Sequence, residues 1–252
     1  VHRNRSIDLS ADVGELAGEV GRRVDAALIE RVSTAHLATG GHAGDEASMR
    51  LGAQACAAAS TRLGAHPSYP DRAGFGRRRL SLDPRAVVAS LVAQLEALSE
   101  AAAPFGLTVE SIKPHGQLYH DLGEDDVLAD AVFDALRSRP GAPVVVLAAG
   151  SRAAERAAAR GLVVVAEGFC DRAYDRAGSL RARTEPGAVL AEPELAARQA
   201  LELALRGLGV GAGRVAVDSL CVHSDGPGAT EVLDAVLVAL AGAAIAVSAP
   251  DR

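Results

Sequence analysis

The sequence predicts an α/β fold in which seven or eight parallel strands, each followed by a helix, close into a barrel. Three observations carry that expectation. Short apolar runs alternate with longer helical patterns along the whole 252 residues. Several of the runs are rich in Val and bounded by Gly, Asp or Pro, as buried parallel strands are. Ionisable residues cluster directly after the runs instead of scattering over helix faces. Strand–helix alternation of this kind implies a parallel sheet covered by helices. A doubly wound open sheet ranks second, because no Gly-rich dinucleotide loop follows the first run. A chain of this length buries roughly 70–75% of its unfolded surface and needs no disulfide or metal staple, so one domain over 1–252 is expected.

The candidate strands, in order, are 7–9, 36–39, 62–65, 109–112, 144–148, 162–166, 215–222 and 244–247. Helices fill the gaps. One runs from about 45 to 61. Asp83 and Pro84 supply an N-cap and a first-turn proline to the next, whose Val88, Leu91, Leu95 and Leu98 share a face until Pro104 and Gly106 stop it. Another covers about 125–137, and 194–206 repeats the pattern through Leu201, Leu205 and Leu208, with Gly207 and Gly209 at its end. The uncharged stretch between Asp234 and Asp251 is shorter than the ~20 apolar residues of a membrane span and is broken by Gly242. It reads as a buried helix and a last strand.

Composition narrows the function. Apolar residues are 49% and charged residues 23%, which excludes disordered and fibrous classes. Aromatics are only 3%, with no Trp, and the net charge is −6, so stacking on bases and neutralising phosphate backbones are both disfavoured. Cys56, Cys170 and Cys221 are odd in number and lack a C-x-x-C pair, which suits a reducing compartment. Val1-His2-Arg3-Asn4-Arg5 has no apolar stretch of the secretory kind, and a cytoplasmic location is expected. The 26 basic residues are 25 Arg and one Lys, Lys113. In so biased a chain a lone ammonium marks a place where a compact, strongly hydrated charge is wanted in preference to a planar fork.

The polar clusters follow the strands in register. Asp12 and Glu15 come after the first, Gly41-His42-Ala43-Gly44-Asp45 after the second, and His66-Pro67 after the third. Lys113-Pro114-His115-Gly116 ends the fourth, Gly150-Ser151 the fifth, Asp171-Arg172 the sixth, and His223-Ser224-Asp225-Gly226 the seventh. In a parallel barrel these segments converge on the rim at the carboxyl ends of the strands, where active sites lie. Five of the seven histidines, His42, His66, His115, His120 and His223, fall at or just after strand ends. Arg72, Arg77, Arg78 and Arg79, interleaved with Gly74 and Gly76, read either as a solvated run or as a loop offering guanidinium groups to an anion. Gly150-Ser151 before a helix could cradle a phosphate. Asp12, His42 and His66 have ligand types suited to a metal. There is no G-x-x-x-x-G-K-[ST] loop and no G-x-S-x-G elbow, and Cys221 reads as a buried core thiol.

Taken together, these segments resemble the LamB/YcsF family, the family of the 5-oxoprolinase A component (PxpA). The resemblance rests on residues 7–15 and 40–45 and on Gly64-Ala65-His66-Pro67-Ser68-Tyr69-Pro70-Asp71-Arg72 with Phe75-Gly76-Arg77-Arg78. It extends through Lys113-Pro114-His115-Gly116-Gln117-Leu118-Tyr119, Asp171-Arg172-Ala173-Tyr174, Gly178-Ser179-Leu180 with Arg183, and Cys221-Val222-His223-Ser224-Asp225-Gly226-Pro227. The family pattern would place Asn at Ser10, His36 and His120, Cys at Thr39, Phe at Gly41 and Gly at Ser224. Gly41 in place of a bulky ring is expected to enlarge the pocket.

The resemblance implies a distorted, TIM-like barrel of the glycoside hydrolase/deacetylase kind. It also implies ATP-dependent opening of 5-oxo-L-proline to L-glutamate together with two partner subunits, PxpB-like and PxpC-like, with ATP, accompanied by Mg2+, as the cofactor. In that reading Asp12 activates or orients water beside Glu15. His42, His66 and His115 shuttle protons or polarise the amide, and Lys113 stabilises the oxyanion or a transferred phosphoryl group. Arg72, Arg77 and Arg172, with Asp45, Gly150, Ser151, His223 and Asp225, hold substrate or phosphates. The alternatives are a stand-alone metal-dependent deacetylase or amidohydrolase with Asp12, His42 and His66 as ligands, and a non-catalytic lactam-binding subunit.

Overall fold

The computed structural model describes residues 5–226 and 228–249. The N-terminal stretch 1–4, and Pro227 at the end of the His223 segment, lie outside the described residues. Among the described residues ten strands and eight α-helices follow in order: β1 (Arg5–Val13), α1 (Gly18–Ile29), β2 (Thr34–Ala38), α2 (Glu46–Ala59), β3 (Arg62–His66), α3 (Pro84–Ala102), β4 (Ser111–Ile112), α4 (Gly116–Glu124) and α5 (Asp126–Arg137). Then come β5 (Val144–Ala148), α6 (Arg152–Ala159), β6 (Val164–Phe169), α7 (Pro193–Arg206), β7 (Leu208–Val210), β8 (Gly213–Val215), β9 (Ser219–His223), α8 (Ala229–Gly242) and β10 (Ile245–Val247).

Seven parallel strands close the barrel in the order β1-β2-β3-β4-β5-β6-β9, and β9 returns to β1 with Asp8 opposite Ser219 and Asp12 opposite His223. The expected eighth strand, β10, pairs with the start of β1 (Arg5 opposite Ile245) and stays outside the ring. The expected strand 215–222 divides: Gly213–Val215 pairs antiparallel with β7 as a small hairpin, and the barrel strand begins at Ser219. Helices start where side chains cap them. The Asp45 carboxylate accepts from Ser48 N while the Ser48 hydroxyl accepts from Asp45 N, closing a capping box on α2. Asp83 accepts from Arg85 N ahead of Pro84, and Asp125 from Val127 N and Leu128 N. Among the described residues one helical stretch, Pro84–Phe105, is long and apolar enough to cross a membrane by composition. Its Val87, Leu91, Leu95 and Leu98 are packed into the core instead.

The two faces of β1 explain the whole interior. Ile7, Leu9, Ala11 and Val13 alternate with Asp8, Ser10 and Asp12, and all seven are buried. A strand sends successive side chains to opposite faces, so the apolar set meets the helices while the polar set fills the lumen. The sparse aromatics are consistent with a Leu-, Ala- and Val-rich layer between strands and helices. The lumen itself is polar. At its floor Asp8 accepts from the hydroxyls of Ser33 at 2.7 Å, Thr34 at 2.8 Å and Ser219 at 2.5 Å. Above it His36 and Ser111 meet at 3.1 Å, in space that Gly64 leaves free, since a Cβ on Gly64 would collide with the His36 ring. The top layer, at the carboxyl ends of the strands, is the candidate site.

Candidate active site

Lys113 follows β4 and turns into the barrel. Its Nζ donates to Asp12 Oδ2 at 2.9 Å, forms an ion pair with Glu167 Oε1 at 2.8 Å, and lies 3.0 Å from Cys221 Sγ. The Phe169 ring lies beneath it, 5.1 Å from the charge. Burial alone would strip the proton from this amine, but the charges of Asp12 and Glu167 outweigh it and hold the ammonium well above its ordinary pKa. Burial pushes the Cys221 thiol up as well, aided by Asp12. Cys221 is therefore a neutral thiol against the ammonium, buried as expected but part of the polar floor and not of the apolar core.

A second cluster leans on the first. Glu15 Oε1 lies 3.0 Å from His42 Nε2, 3.1 Å from His115 Nδ1 and 3.6 Å from His66 Nε2. His66 Nε2 is also 3.4 Å from Asp12 Oδ2, which joins the clusters. Burial would raise the Glu15 carboxyl, yet hydrogen bonds from His115 and His42 and the neighbouring imidazole charges hold it well below its usual range. Burial depresses His42 and His66. The rings of His42 and His115 stack with centroids 3.6 Å apart, and Phe75 packs edge-on against both.

On the far side, Asp171 receives His223 Nδ1–H at 2.9 Å and His223 N at 3.0 Å, so the other ring nitrogen faces Asp12 Oδ2 at 3.8 Å. Burial opposes the imidazolium, but the Asp171 charge prevails and raises the His223 pKa. A cavity of about 370 Å³ opens over Asp12, Lys113, His66, His115 and His223, with Arg77, Arg172 and Arg183 on its wall. Asp225 pairs with Arg77 and lies 3.3 Å from Arg183. A second cavity, of about 520 Å³, lies beyond Glu15 and His42 against α1 and α2.

The rim thus gathers Asp12, Glu15, His42, His66, Lys113, His115, Arg77, Arg172, His223 and Asp225 as the sequence suggested, and sets four other residues apart. Arg72 donates to the carbonyls of Gly44 at 2.6 Å and Gly40 at 3.1 Å, so it staples the 40–44 loop and lines the second cavity, away from Lys113. Asp45 caps α2. Ser151 caps α6 by accepting from Ala154 N, and Gly150 rests on Val215 and Val210, so neither lines the cavity over Lys113. Arg78 and Arg79 are occupied by Asp71, Asp121 and Glu124, which leaves Arg77 as the member of that run facing the cavity. His120 lies within α4, at the cavity wall, and does not end a strand. The expected enlargement at Gly41 is overturned. A Cβ there would lie 2.5 Å from Ser68 Oγ and 2.6 Å from Gln94 Oε1, because Gln94 is hydrogen-bonded to Thr39 and Ser68 and fills that space. Two functional groups escaped the sequence reading. Glu167 is a lone carboxylate in the middle of the apolar run Val164–Phe169, a signal in itself. Arg183 sits in an irregular loop and had only its motif context.

Asp25, on α1 at the second cavity, offers a check on the electrostatics. Burial and the neighbouring Glu15 charge outweigh a backbone hydrogen bond from Gly14 and push its carboxyl up to about 6. The folded protein therefore holds this proton more tightly than the unfolded chain does. The stability this contributes is full below about pH 4 and is lost as pH rises through about 6. The shift corresponds to about 3 kcal/mol at neutral pH, or about half that after solvent screening. Asp25→Asn is expected to raise the melting temperature at pH 7.5 and to leave it nearly unchanged at pH 4. An equal shift at both pH values would show that charge is not the cause.

A closed parallel barrel with a buried lysine–carboxylate–histidine centre at the carboxyl ends of its strands belongs to the TIM-like class. Within that class the chain belongs to the LamB/YcsF family, whose model matches residues 7–252. It is 41% identical over 232 residues to a 5-oxoprolinase A component, the third of that name, of Pseudomonas syringae pv. tomato, covering 90% of this chain and 91% of that one. The lactam utilization protein from Thermus thermophilus superimposes with a TM-score of 0.87 at 36% identity, over 97% of this chain and 100% of that one. A family 4 carbohydrate esterase from Streptomyces lividans, solved with acetate, shares the fold alone: TM-score 0.51 at 14% identity, over 98% of this chain and 99% of that one.

Proposed function

We propose that this chain is the A component of a cytoplasmic, ATP-dependent 5-oxoprolinase that opens 5-oxo-L-proline to L-glutamate alongside two partner subunits. The observation that carries the reading is Lys113, held between Asp12 and Glu167 on the floor of a cavity walled by Arg77, Arg172 and Arg183. Relatives named as the A component of 5-oxoprolinase support it, and three unpaired cysteines suit a reducing compartment.

A five-membered lactam is a resonance-stabilised amide and a poor electrophile. ATP, when bound, supplies the phosphoryl group that activates the amide oxygen. Three guanidinium groups and one ammonium around the cavity fit a carboxylate and phosphates. The cavity volume, about 370 Å³, lies at the small end of the roughly 300–1,000 Å³ usual for ligand sites, which suits a lactam. Lys113 offsets the negative charge of the phosphoryl group at the carbonyl oxygen. Asp12, between Lys113 and His66, takes the proton of the attacking water. His223, anchored by Asp171, fixes the charge facing Asp12.

Glutamate release from 5-oxo-L-proline, followed with and without ATP, tests the reading in the chain alone and in its complex with the candidate partner subunits. ATP-dependent release by the complex is expected. A folded complex that releases no glutamate would overturn it.

A further inference from the structure

We infer that Arg172 holds the carboxylate of the lactam substrate and so makes the site select a ring that carries an acid over a neutral lactam; the inference deepens the oxoprolinase reading and rests on it. Of the arginine side chains described, Arg172 is the buried one, only 7% exposed. Among the described residues no carboxylate lies within ion-pairing distance of it, whereas Arg77 and Arg183, its neighbours on the cavity wall, share Asp225. Its Nη2 donates to the Arg181 carbonyl at 2.7 Å and its Nε to the Ala188 carbonyl at 3.4 Å. Those bonds leave Nη1 without a partner among the described residues, in a side chain that lines the cavity.

A buried cation without an opposite charge is costly. Burial, and next to it the Arg183 charge, draws the Arg172 pKa below the usual arginine value, whereas the Asp71 carboxylate raises that of Arg78. The fold nevertheless fixes Arg172 in place. Gln199, on α7, donates to the carbonyls of Phe169 at 2.6 Å, Cys170 at 3.2 Å and Arg172 at 2.7 Å, and Arg172 bridges antiparallel to Val189. A rigid cation of this kind is completed by a ligand anion. Charge balance places that anion. On the floor Lys113 already faces two carboxylates, Asp12 and Glu167, while on the wall three guanidinium groups face Asp225 alone. The wall therefore takes the permanent charge of the substrate and the floor its neutral amide. The lactam has the matching layout, since the ring carbons that carry the carboxylate and the carbonyl oxygen flank the nitrogen. A planar guanidinium with free N–H groups then offers the carboxylate a fork, which an ammonium cannot.

5-Oxo-L-proline and its neutral amide, 5-oxo-L-prolinamide, are titrated by calorimetry into the full chain, alone and in the complex with its partner subunits. The acid is expected to bind about 10–100-fold more tightly than the amide, as one charge-assisted pair provides. Arg172→Gln is expected to bring the two affinities within a few-fold of each other. Arg172→Lys should retain part of the preference, because it keeps the charge without the fork. A substitution that merely loosened the 181–188 segment would weaken acid and amide alike, so their ratio separates recognition from damage. Wild-type protein that binds both ligands equally, or neither, overturns the inference, and so does an Arg172→Gln variant that keeps the preference. Loss of inorganic phosphate binding in Arg172→Gln with the ratio intact also overturns it, by giving this guanidinium to a phosphate. Turnover reports separately on the oxoprolinase reading. A complex that releases glutamate but binds acid and amide alike keeps that reading and loses this one, and a complex that prefers the acid but releases no glutamate does the reverse.

Discussion

Lys113→Met is expected to abolish turnover in the assembled complex and to cost the fold about 3–5 kcal/mol. The ammonium is fully buried and balances two carboxylates, at 2.9 Å and 2.8 Å. Removing one member of a buried ionic cluster leaves the others uncompensated, and that penalty is of this size. The substitution also discloses its own cause. Without Lys113, Glu167, whose carboxyl burial already pushes up, is relieved by taking a proton. The loss of stability should therefore be large at pH 8 and much smaller at pH 5, as urea unfolding at the two pH values would reveal. Turnover within a few-fold of wild type would remove Lys113 from the chemistry and favour a non-catalytic lactam-binding subunit.

Asp12→Asn is expected to separate chemistry from stability at the same point. Asparagine keeps an oxygen for Lys113 but cannot accept the proton of a water, so turnover should fall about 10²–10⁴-fold. The fold should change by less than about 1 kcal/mol, because Lys113 and Glu167 remain as a neutral pair. A variant with normal turnover would show that another group, His66 foremost at 3.4 Å from this carboxylate, removes the proton. A variant that is inactive but also unfolded at neutral pH would show that Asp12 holds the lumen together instead.

The Asp12 and Lys113 pair shows what was legible and what was not. Both residues stood out in the sequence, one by following the first strand and the other as the single lysine. Their contact joins positions 101 residues apart and depends on how β1 to β4 are registered around the ring. The same holds for His66 and His115, each legible after its strand, whose ring nitrogens meet at 3.0 Å only once the barrel has closed. Glu167 directly follows the expected strand 162–166, but the charged pair Asp171-Arg172 marks the end of that strand more plainly. Only the closed lumen gives its carboxylate a reason to face inward. Arg72, Asp45 and Ser151 read as ligand-binding groups because the side chains that satisfy backbone carbonyls and N–H groups are of the same types as those that bind ligands, and position alone tells them apart.

By itself, the sequence determined the strand–helix alternation, the capped helices, the family, and the gathering of polar residues at the carboxyl ends of the strands. These follow from short-range rules: a period of two in strands, a period near four in helices, and caps where backbone N–H groups lack partners. The tertiary structure decided the number of strands in the ring, with β10 left outside. It also decided the filling of the space at Gly41 by Gln94, the separation of two cavities by Glu15 and His42, and the partner each charge finds. Those outcomes depend on strand register and ring closure, which bring together residues far apart in the chain, and no local pattern encodes such a distance.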